Sequence, residues 1–188
     1  IGGHMFGYRD EELEARWYQL GVFSPINRLH SSCSPFSGKE PWNFRPEIRA
    51  IMDDALRLRH RMIPYLHTMN WRASRTGLPL VEPMYWGSPD IDAAYHVPNE
   101  YMFGTITEPM DKSSRRGKAD VWLPQGDWFD FFTGRRYSAS SPNGRRMTVW
   151  RPLDGIPVFA KAGGIVPMQP LSEGDSINSV DNPQHLEI

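Results

Sequence analysis

The sequence predicts a chain of two differently built parts, a helical part over residues 1–77 and an antiparallel all-β part over residues 78–188. In the first part, apolar residues recur at intervals of three and four, which is the spacing of one face of a helix. In the second part, short runs rich in β-branched and aromatic residues alternate with turn signals. Between them, Gly77 followed by Pro79 is a typical helix end, so we place the domain boundary after residue 77.

The first predicted helix begins at the acidic residues of positions 10–12, where the helix dipole favours negative charge, and ends at Gly21. The apolar run that follows, VFSPI, predicts a short buried strand over residues 22–30. One face of the helix carries Leu13, Trp17 and Leu20.

A longer helical segment is predicted over residues 44–76. Pro46 stands at its start, where the missing N–H of proline costs nothing. Pro64 interrupts the pattern, so we expect a kink or two abutting helices at that point. The apolar stripe of this segment consists of Ile48, Ile51, Met52, Ala55, Leu58 and Met62.

The all-β part is predicted to be a sandwich, because its strand-like runs are short and each is bounded by Gly, Pro, Asn or Asp. Antiparallel strands joined by tight turns produce this succession. The turn signals lie at residues 124–127, 133–134, 142–144 and 163–164.

Composition excludes several classes of function. The 188 residues carry a net charge of −1, which gives no electrostatic case for binding nucleic acid or an anionic membrane. No apolar stretch is long enough to span a membrane. The single cysteine, Cys33, excludes an internal disulfide and a cysteine-rich metal site. The motifs of phosphate, dinucleotide and zinc sites are absent, and a cytoplasmic location is the default expectation.

Two short motifs could contact a ligand. In IGGH, two glycines precede His4, which suits either close approach of the backbone to a ligand or a tight turn. In NRLH, Arg28 and His30 stand two apart at the end of the predicted strand, where they serve either the fold or a ligand. The residues alone leave both alternatives open in each case.

Longer blocks of the sequence carry a specific resemblance. It extends from Ile1 to about Pro170, and its blocks occur in the family's order with near-correct gaps. The chain resembles glycoside hydrolase family 31, and within it the bacterial α-glucosidases. The blocks are IGGHMFGYRDEELEARWYQLGVFSPINRLHSS, PFSGKEPWNFRPEI, ALRLRHRMIPYLHTMNWRASRTGLPLVEPMYW, VWLPQGDWFDFFTGRRY and RPLDGIPVFAKAGGIVPM.

The resemblance implies a (β/α)₈ TIM barrel followed by a β-sandwich. Because a complete barrel takes about 250 residues, residues 1–77 would be only its C-terminal part. Residues 22–30 would be the eighth strand and residues 44–76 the closing helices. Residues 78–188 would be the proximal C-terminal sandwich, truncated at its end and shortened after Thr105, where several apolar residues of the family's strand are missing.

The implied activity is retaining hydrolysis of terminal α-linked glucose from oligosaccharides, without a metal or an organic cofactor. Its two catalytic aspartates, which flank the glycosidic oxygen about 5–5.5 Å apart, belong to blocks before Ile1. This chain alone is therefore expected to be inactive. α-Xylosidase and transglucosidase activities remain alternatives within the family.

The resemblance also implies roles for four residues. His30 matches the histidine that binds hydroxyls in the glucosyl subsite, and its imidazole can donate and accept at once. His4 falls at or next to an aromatic residue that lines the sugar pocket. Arg28 would be a buried partner of barrel carboxylates. Trp42 would lie either near the barrel mouth or packed within its loop.

A second hypothesis is a non-catalytic carbohydrate-binding or interaction module formed by the sandwich. It requires an exposed, flat aromatic platform on which sugar rings stack. The aromatic residues that would form it are Trp86, Trp122, Trp128 and Trp150.

Overall fold

A computed structural model describes residues 9–32, 34–88, 96–98, 101–103 and 105–171 of the chain. His4 lies outside these residues. The described chain forms two compact units. The first runs to Leu78 and includes the segment from Val166, and the second spans Pro79–Ile165.

Helix α1 (Glu11–Gly21) begins as the acidic residues predicted. The side chain of Asp10 accepts a hydrogen bond from the N–H of Leu13 at 2.9 Å, which caps the helix. The helix does not, however, bury the face of Leu13 and Trp17, both of which are exposed. Its buried face instead contains Glu14, Ala15 and Tyr18.

Helices α2 (Pro46–Arg61) and α3 (Ile63–Thr76) confirm the prediction of two abutting helices. The break falls at Met62, and Pro64 lies in the first turn of α3, where a missing N–H breaks no helical hydrogen bond. Gly77 ends α3 at φ 75°, a conformation that favours glycine.

The predicted strand over residues 22–30 is wrong. Val22 continues the helical backbone, the chain then turns, and none of residues 22–30 forms a strand. Ile26, in the run predicted to be buried, is 81% exposed. A strand needs a neighbour to satisfy its backbone groups, and here those carbonyl oxygens are bound by a side chain of α2 instead.

The second unit is built from antiparallel strand pairs, as predicted. The strands are β1 (Val81–Pro83), β2 (His96–Pro98), β3 (Tyr101–Phe103), β4 (Gly117–Leu123), β5 (Gly126–Asp130), β6 (Arg136–Ala139), β7 (Arg145–Arg151) and β8 (Val158–Lys161). A short helix, α4 (Met84–Gly87), follows β1. Two ribbons pair β1 with β2 and β4 with β7, and a four-stranded sheet has the order β3-β8-β5-β6.

The predicted turns of this unit are confirmed by their backbone conformation. Gly126, Gly134, Gly144 and Gly163 all have positive φ. Gly144 also has to be a glycine for space, because a Cβ there would lie 2.4 Å from the backbone oxygen of Leu123 and 2.6 Å from the Trp122 ring.

A buried carboxylate organises the end of β5. Asp130 accepts hydrogen bonds from the N–H groups of Phe132 at 3.1 Å and Thr133 at 3.0 Å, and it pairs with the guanidinium of Arg151. This network joins β5 to β7 and shapes the turn that leads to β6.

Candidate functional site

The segment that carries His30 begins at the end of α1. The chain turns there through hydrogen bonds from Phe23 N–H to Leu20 O and from Ser24 N–H to Gly21 O, at 3.2 and 3.3 Å. Residues 26–32 then run without regular secondary structure. The direction in which the chain leaves the turn therefore determines where His30 lies.

Arg59, in the last turn of α2, binds the carbonyl oxygens of this turn. Its Nη1 lies 2.7 Å from Gly21 O, 3.0 Å from Val22 O and 2.7 Å from Ser24 O. Its Nη2 lies 3.4 Å from Pro25 O. Burial lowers the pKa of the guanidinium from its ordinary value, but an arginine stays protonated at neutral pH.

Gly21 and Asn27 pack against each other within the same turn. A Cβ at Gly21 would come within 3.1 Å of Asn27 Oδ1 and 3.2 Å of its Cγ, so the absence of a side chain at Gly21 admits the amide. Asn27 Oδ1 is buried, and among the described residues it has no hydrogen-bond partner. The turn therefore packs against itself immediately before the predicted site residues.

The structure places the predicted site residues as follows. His30 is half-buried and has an interaction partner. Arg28 is exposed in this structure. Strand alternation, which would put Arg28 and His30 on one side, does not apply to this irregular segment, and the burial of Arg28 among barrel carboxylates stays a prediction. Their roles at a sugar site stay predictions.

Trp42 lies in a short 3₁₀ helix, Pro41–Asn43, within the loop that follows His30. Its side chain is 70% exposed. Packing within the loop therefore does not account for this ring, and its place near a barrel mouth stays a prediction.

A buried ion pair holds that loop against α1. Lys39 Nζ lies 3.1 Å from Glu14 Oε2, and the two side chains are 4% and 2% exposed. The hydroxyl of Tyr18 donates to the backbone oxygen of Lys39 at 2.5 Å. Burial, and then the charge of Glu14, raise the pKa of Tyr18, so the hydroxyl remains a donor at neutral pH.

Arg9 fixes the same loop from outside. Its guanidinium donates to the backbone oxygens of Phe36 at 3.1 Å and Gly38 at 3.3 Å, and also to that of Asn43. It lies 4.7 Å from the centre of the Phe44 ring. A cavity of about 50 Å³ lies here, and its lining includes Arg9, Phe36, Gly38 and Phe44 together with Glu14 and Lys39.

The exposed aromatic platform that the second hypothesis requires is not formed by the four tryptophans. Trp122 and Trp128 are only 5% and 3% exposed. Their indole N–H groups donate to the backbone oxygens of Asn143 and Pro124 at 2.8 and 2.9 Å. Strand alternation buries Trp128 in β5. Trp122 lies outside the alternation of β4 and is covered by the turn over Gly144, which leaves Trp86 and Trp150 as the exposed members.

In the described part of the chain, no three His, Cys, Asp or Glu side chains approach one another closely enough to hold a metal ion. No helix in those same ranges combines the length and the apolar character that crossing a membrane requires.

Sequence reasoning missed Arg59 and the Glu14–Lys39 pair. Arg59 lies 38 residues from Gly21, and Lys39 lies 25 residues from Glu14. The last turn of α1 contains no basic residue. Because the negative end of a helix dipole attracts a cation, this absence could have indicated that a basic side chain from elsewhere in the chain binds there. The sequence did not indicate which basic side chain this would be.

Comparison with known proteins gives the family. Residues 1–69 match the profile of the glycosyl hydrolases family 31 TIM-barrel domain, and residues 77–166 match that of the glycosyl hydrolase family 31 C-terminal domain. The chain is 31% identical over 173 residues to an alpha-xylosidase of Saccharolobus solfataricus. It is 30% identical over 175 residues to alpha-glucosidase 2 of Bacillus thermoamyloliquefaciens.

These alignments cover 90% and 92% of this chain but only 22% and 21% of the two relatives. The chain therefore spans about a fifth of the length of the curated relatives it matches. Among solved structures, it is similar to the family 31 dextranase of Flavobacterium johnsoniae, which was solved with isomaltotriose. That match has a TM-score of 0.73 and 31% identity, and it covers 86% of this chain and 20% of the dextranase.

The fold and the sequence therefore agree with the resemblance on which the expected site rests. The helices of the first unit belong to the end of a TIM barrel, and the antiparallel sheets of the second unit belong to the domain that follows it. The chain is a member of glycosyl hydrolase family 31, a family of glycoside hydrolases.

Proposed function

We propose that this chain is part of a longer retaining α-glucosidase that releases terminal α-linked glucose from oligosaccharides. The observation that carries the proposal is the motif NRLHSS, which directly follows the turn after α1 and carries His30, half-buried, within the matched barrel segment. We also propose that residues 1–77 belong to the barrel and residues 78–188 to the sandwich.

The catalytic aspartates are proposed to lie in a segment before Ile1. The barrel profile matches 69 residues of this chain, whereas a complete (β/α)₈ barrel takes about 250. A retaining mechanism needs a nucleophilic carboxylate and an acid/base carboxylate about 5–5.5 Å apart. The proposal assigns neither role to an acid of this chain.

His30 is proposed to bind the sugar rather than to take part in bond cleavage. An imidazole donates a hydrogen bond from one nitrogen and accepts one at the other, so it can engage two neighbouring hydroxyls. Because it is half-buried, its orientation is restrained before the sugar arrives, which lowers the entropy lost on binding. His4 is proposed as a further contact of the sugar, and Arg28 and Trp42 as supporting residues.

The test uses the longer polypeptide that contains this sequence, assayed on an aryl α-glucoside. We expect His30→Ala to raise KM and lower kcat/KM by about tenfold or more, the cost of one or two hydrogen bonds to a sugar. His67→Ala is the matched control, because His67 is exposed on α3. Equal kcat/KM in the two variants would refute the role of His30.

Two further assays address the finer points. Turnover of the aryl α-glucoside by the 188-residue chain alone, above background, would contradict the proposed location of the carboxylates. An aryl α-xyloside and an acceptor sugar separate glucosidase from xylosidase and from transfer. This comparison is needed because the alpha-xylosidase and alpha-glucosidase relatives are equally similar to this chain.

A further inference from the structure

The end of α1 has no cation of its own. Its last turn contains no basic residue, so its own sequence offers no cation to the carbonyl oxygens and to the negative end of the helix dipole. Arg59 supplies that cation from the last turn of α2. The guanidinium therefore acts as a capping group that comes from another helix.

The contacts of Arg59 extend beyond the helix end into the turn. One nitrogen, Nη1, lies within 3.0 Å of the oxygens of Gly21, Val22 and Ser24, and Nη2 adds Pro25 at 3.4 Å. Converging carbonyl oxygens repel one another, and the positive charge of the guanidinium offsets that repulsion. The shape of the turn thus depends on the guanidinium.

The shape of the turn also restricts the segment that follows it, residues 26–30. Asn27 packs its amide against Gly21, and Arg59 binds the carbonyl oxygen of the same glycine, so both side chains contact the start of the turn. No strand pairing holds residues 26–30 afterwards. We infer that Arg59 is a positioning residue that sets the orientation of His30 through the turn after α1, and this inference rests on the proposed function of His30.

A purely structural role for Arg59 makes a different prediction. Loss of a structural arginine lowers the free energy of unfolding, but it leaves the imidazole of His30 unchanged in the molecules that remain folded. Loss of a positioning arginine changes the surroundings of His30 in the folded state as well. The NMR signals of the His30 imidazole therefore separate the two roles.

The experiment compares Arg59→Met, Arg59→Lys and the control Arg57→Met in the 188-residue chain. Arg57 is exposed on the same helix, so its replacement removes a charge without touching the turn. The His30 imidazole signals are assigned with His30→Gln. We expect them to shift in Arg59→Met, to shift less in Arg59→Lys, and to stay in place in Arg57→Met.

Arg59→Lys keeps the charge but replaces the planar fork by a single ammonium group. It carries the test if Arg59→Met does not fold. Wild-type imidazole signals in a folded Arg59 variant would overturn the inference, and so would an equal shift in Arg57→Met.

A second arm introduces the same substitutions into the longer polypeptide that contains this sequence and titrates each variant with isomaltose. We expect Arg59→Met to weaken binding about tenfold, the equivalent of one charge-assisted hydrogen bond, and Arg57→Met to leave it unchanged. Absence of binding by the wild-type longer polypeptide would contradict the sugar-binding role of His30, while the imidazole signals still decide whether Arg59 positions it. Sugar affinity that Arg59→Met retains in full would overturn the inference.

Discussion

The buried ion pair between Glu14 and Lys39 gives a prediction that the structure makes quantitative. The two charged atoms lie 3.1 Å apart, and both side chains are almost inaccessible to solvent. Removing one member leaves the other charge buried without its partner, which typically costs about 3–5 kcal/mol. We expect Lys39→Met to lower the free energy of unfolding of the first unit by that amount.

The double variant distinguishes a buried charge from a lost contact. Replacing a buried pair by apolar residues of similar size is often neutral or stabilising, so Glu14→Leu combined with Lys39→Met should recover most of the loss. The hydrogen bond from Tyr18 reaches the backbone oxygen of residue 39, so it survives in both variants. The double-mutant cycle of the two single variants and the double variant should accordingly give a large interaction energy between Glu14 and Lys39.

The assay is urea unfolding of the 188-residue chain, followed by far-UV circular dichroism because the long helices α1, α2 and α3 lie in the first unit. Arg49→Met is the control, since the pair of Arg49 with Asp53 is exposed and should contribute at most about 1 kcal/mol. A loss in Lys39→Met no greater than that of the control would refute the reasoning. So would a double variant less stable than either single variant.

Three further predictions concern the second unit. Asp130→Asn should lower the free energy of unfolding of this unit by about 2–3 kcal/mol, because the charged acceptor of two N–H groups and a guanidinium is lost. Urea unfolding followed by tryptophan fluorescence measures this loss, and an unchanged midpoint would contradict the network. Gly144→Ala should cost more than Gly163→Ala in the same assay, because both have positive φ but only the former would place a Cβ against other atoms; equal losses would contradict this. Hydrogen bonds from Ser113 and Ser114 lower the pKa of Asp111 from 3.8 to about 2. Because the folded pKa is the lower one, their stabilisation is present above pH 3.8 and is lost as the pH falls toward 2. NMR titration of the Asp111 carboxyl group, with Ser113→Ala expected to raise its pKa, checks the value.

The exposed Leu13 and Trp17 illustrate a limit of pattern analysis. Their spacing correctly places them on one face of α1, yet the helix buries the face of Glu14 and Tyr18. Periodicity reports which side chains lie together, whereas the neighbours of the helix decide which face is covered. We expect the apolar face to promote self-association of the chain, which Trp17→Gln should reduce in light scattering.

Local chemistry was enough to determine the helices and the turns. The bounds of α2 and α3 follow from Pro46, Pro64 and Gly77, each of which acts on backbone groups within one helical turn. The turns of the second unit follow from glycines, which adopt a positive φ whatever their distant neighbours are. The order of the sequence blocks also identified the family, because long motifs can be recognised in a sequence without knowledge of the contacts that their residues make.

Tertiary structure alone decided the surroundings of the proposed site. A strand over residues 22–30 required a partner strand, and the backbone there bound Arg59 instead. The burial of Trp122 and the pairing of Glu14 with Lys39 likewise depend on residues distant in sequence. The sequence shows which groups need a hydrogen-bond or ion-pair partner. Only the folded chain determines which partner they have, because that depends on distances between residues far apart in sequence.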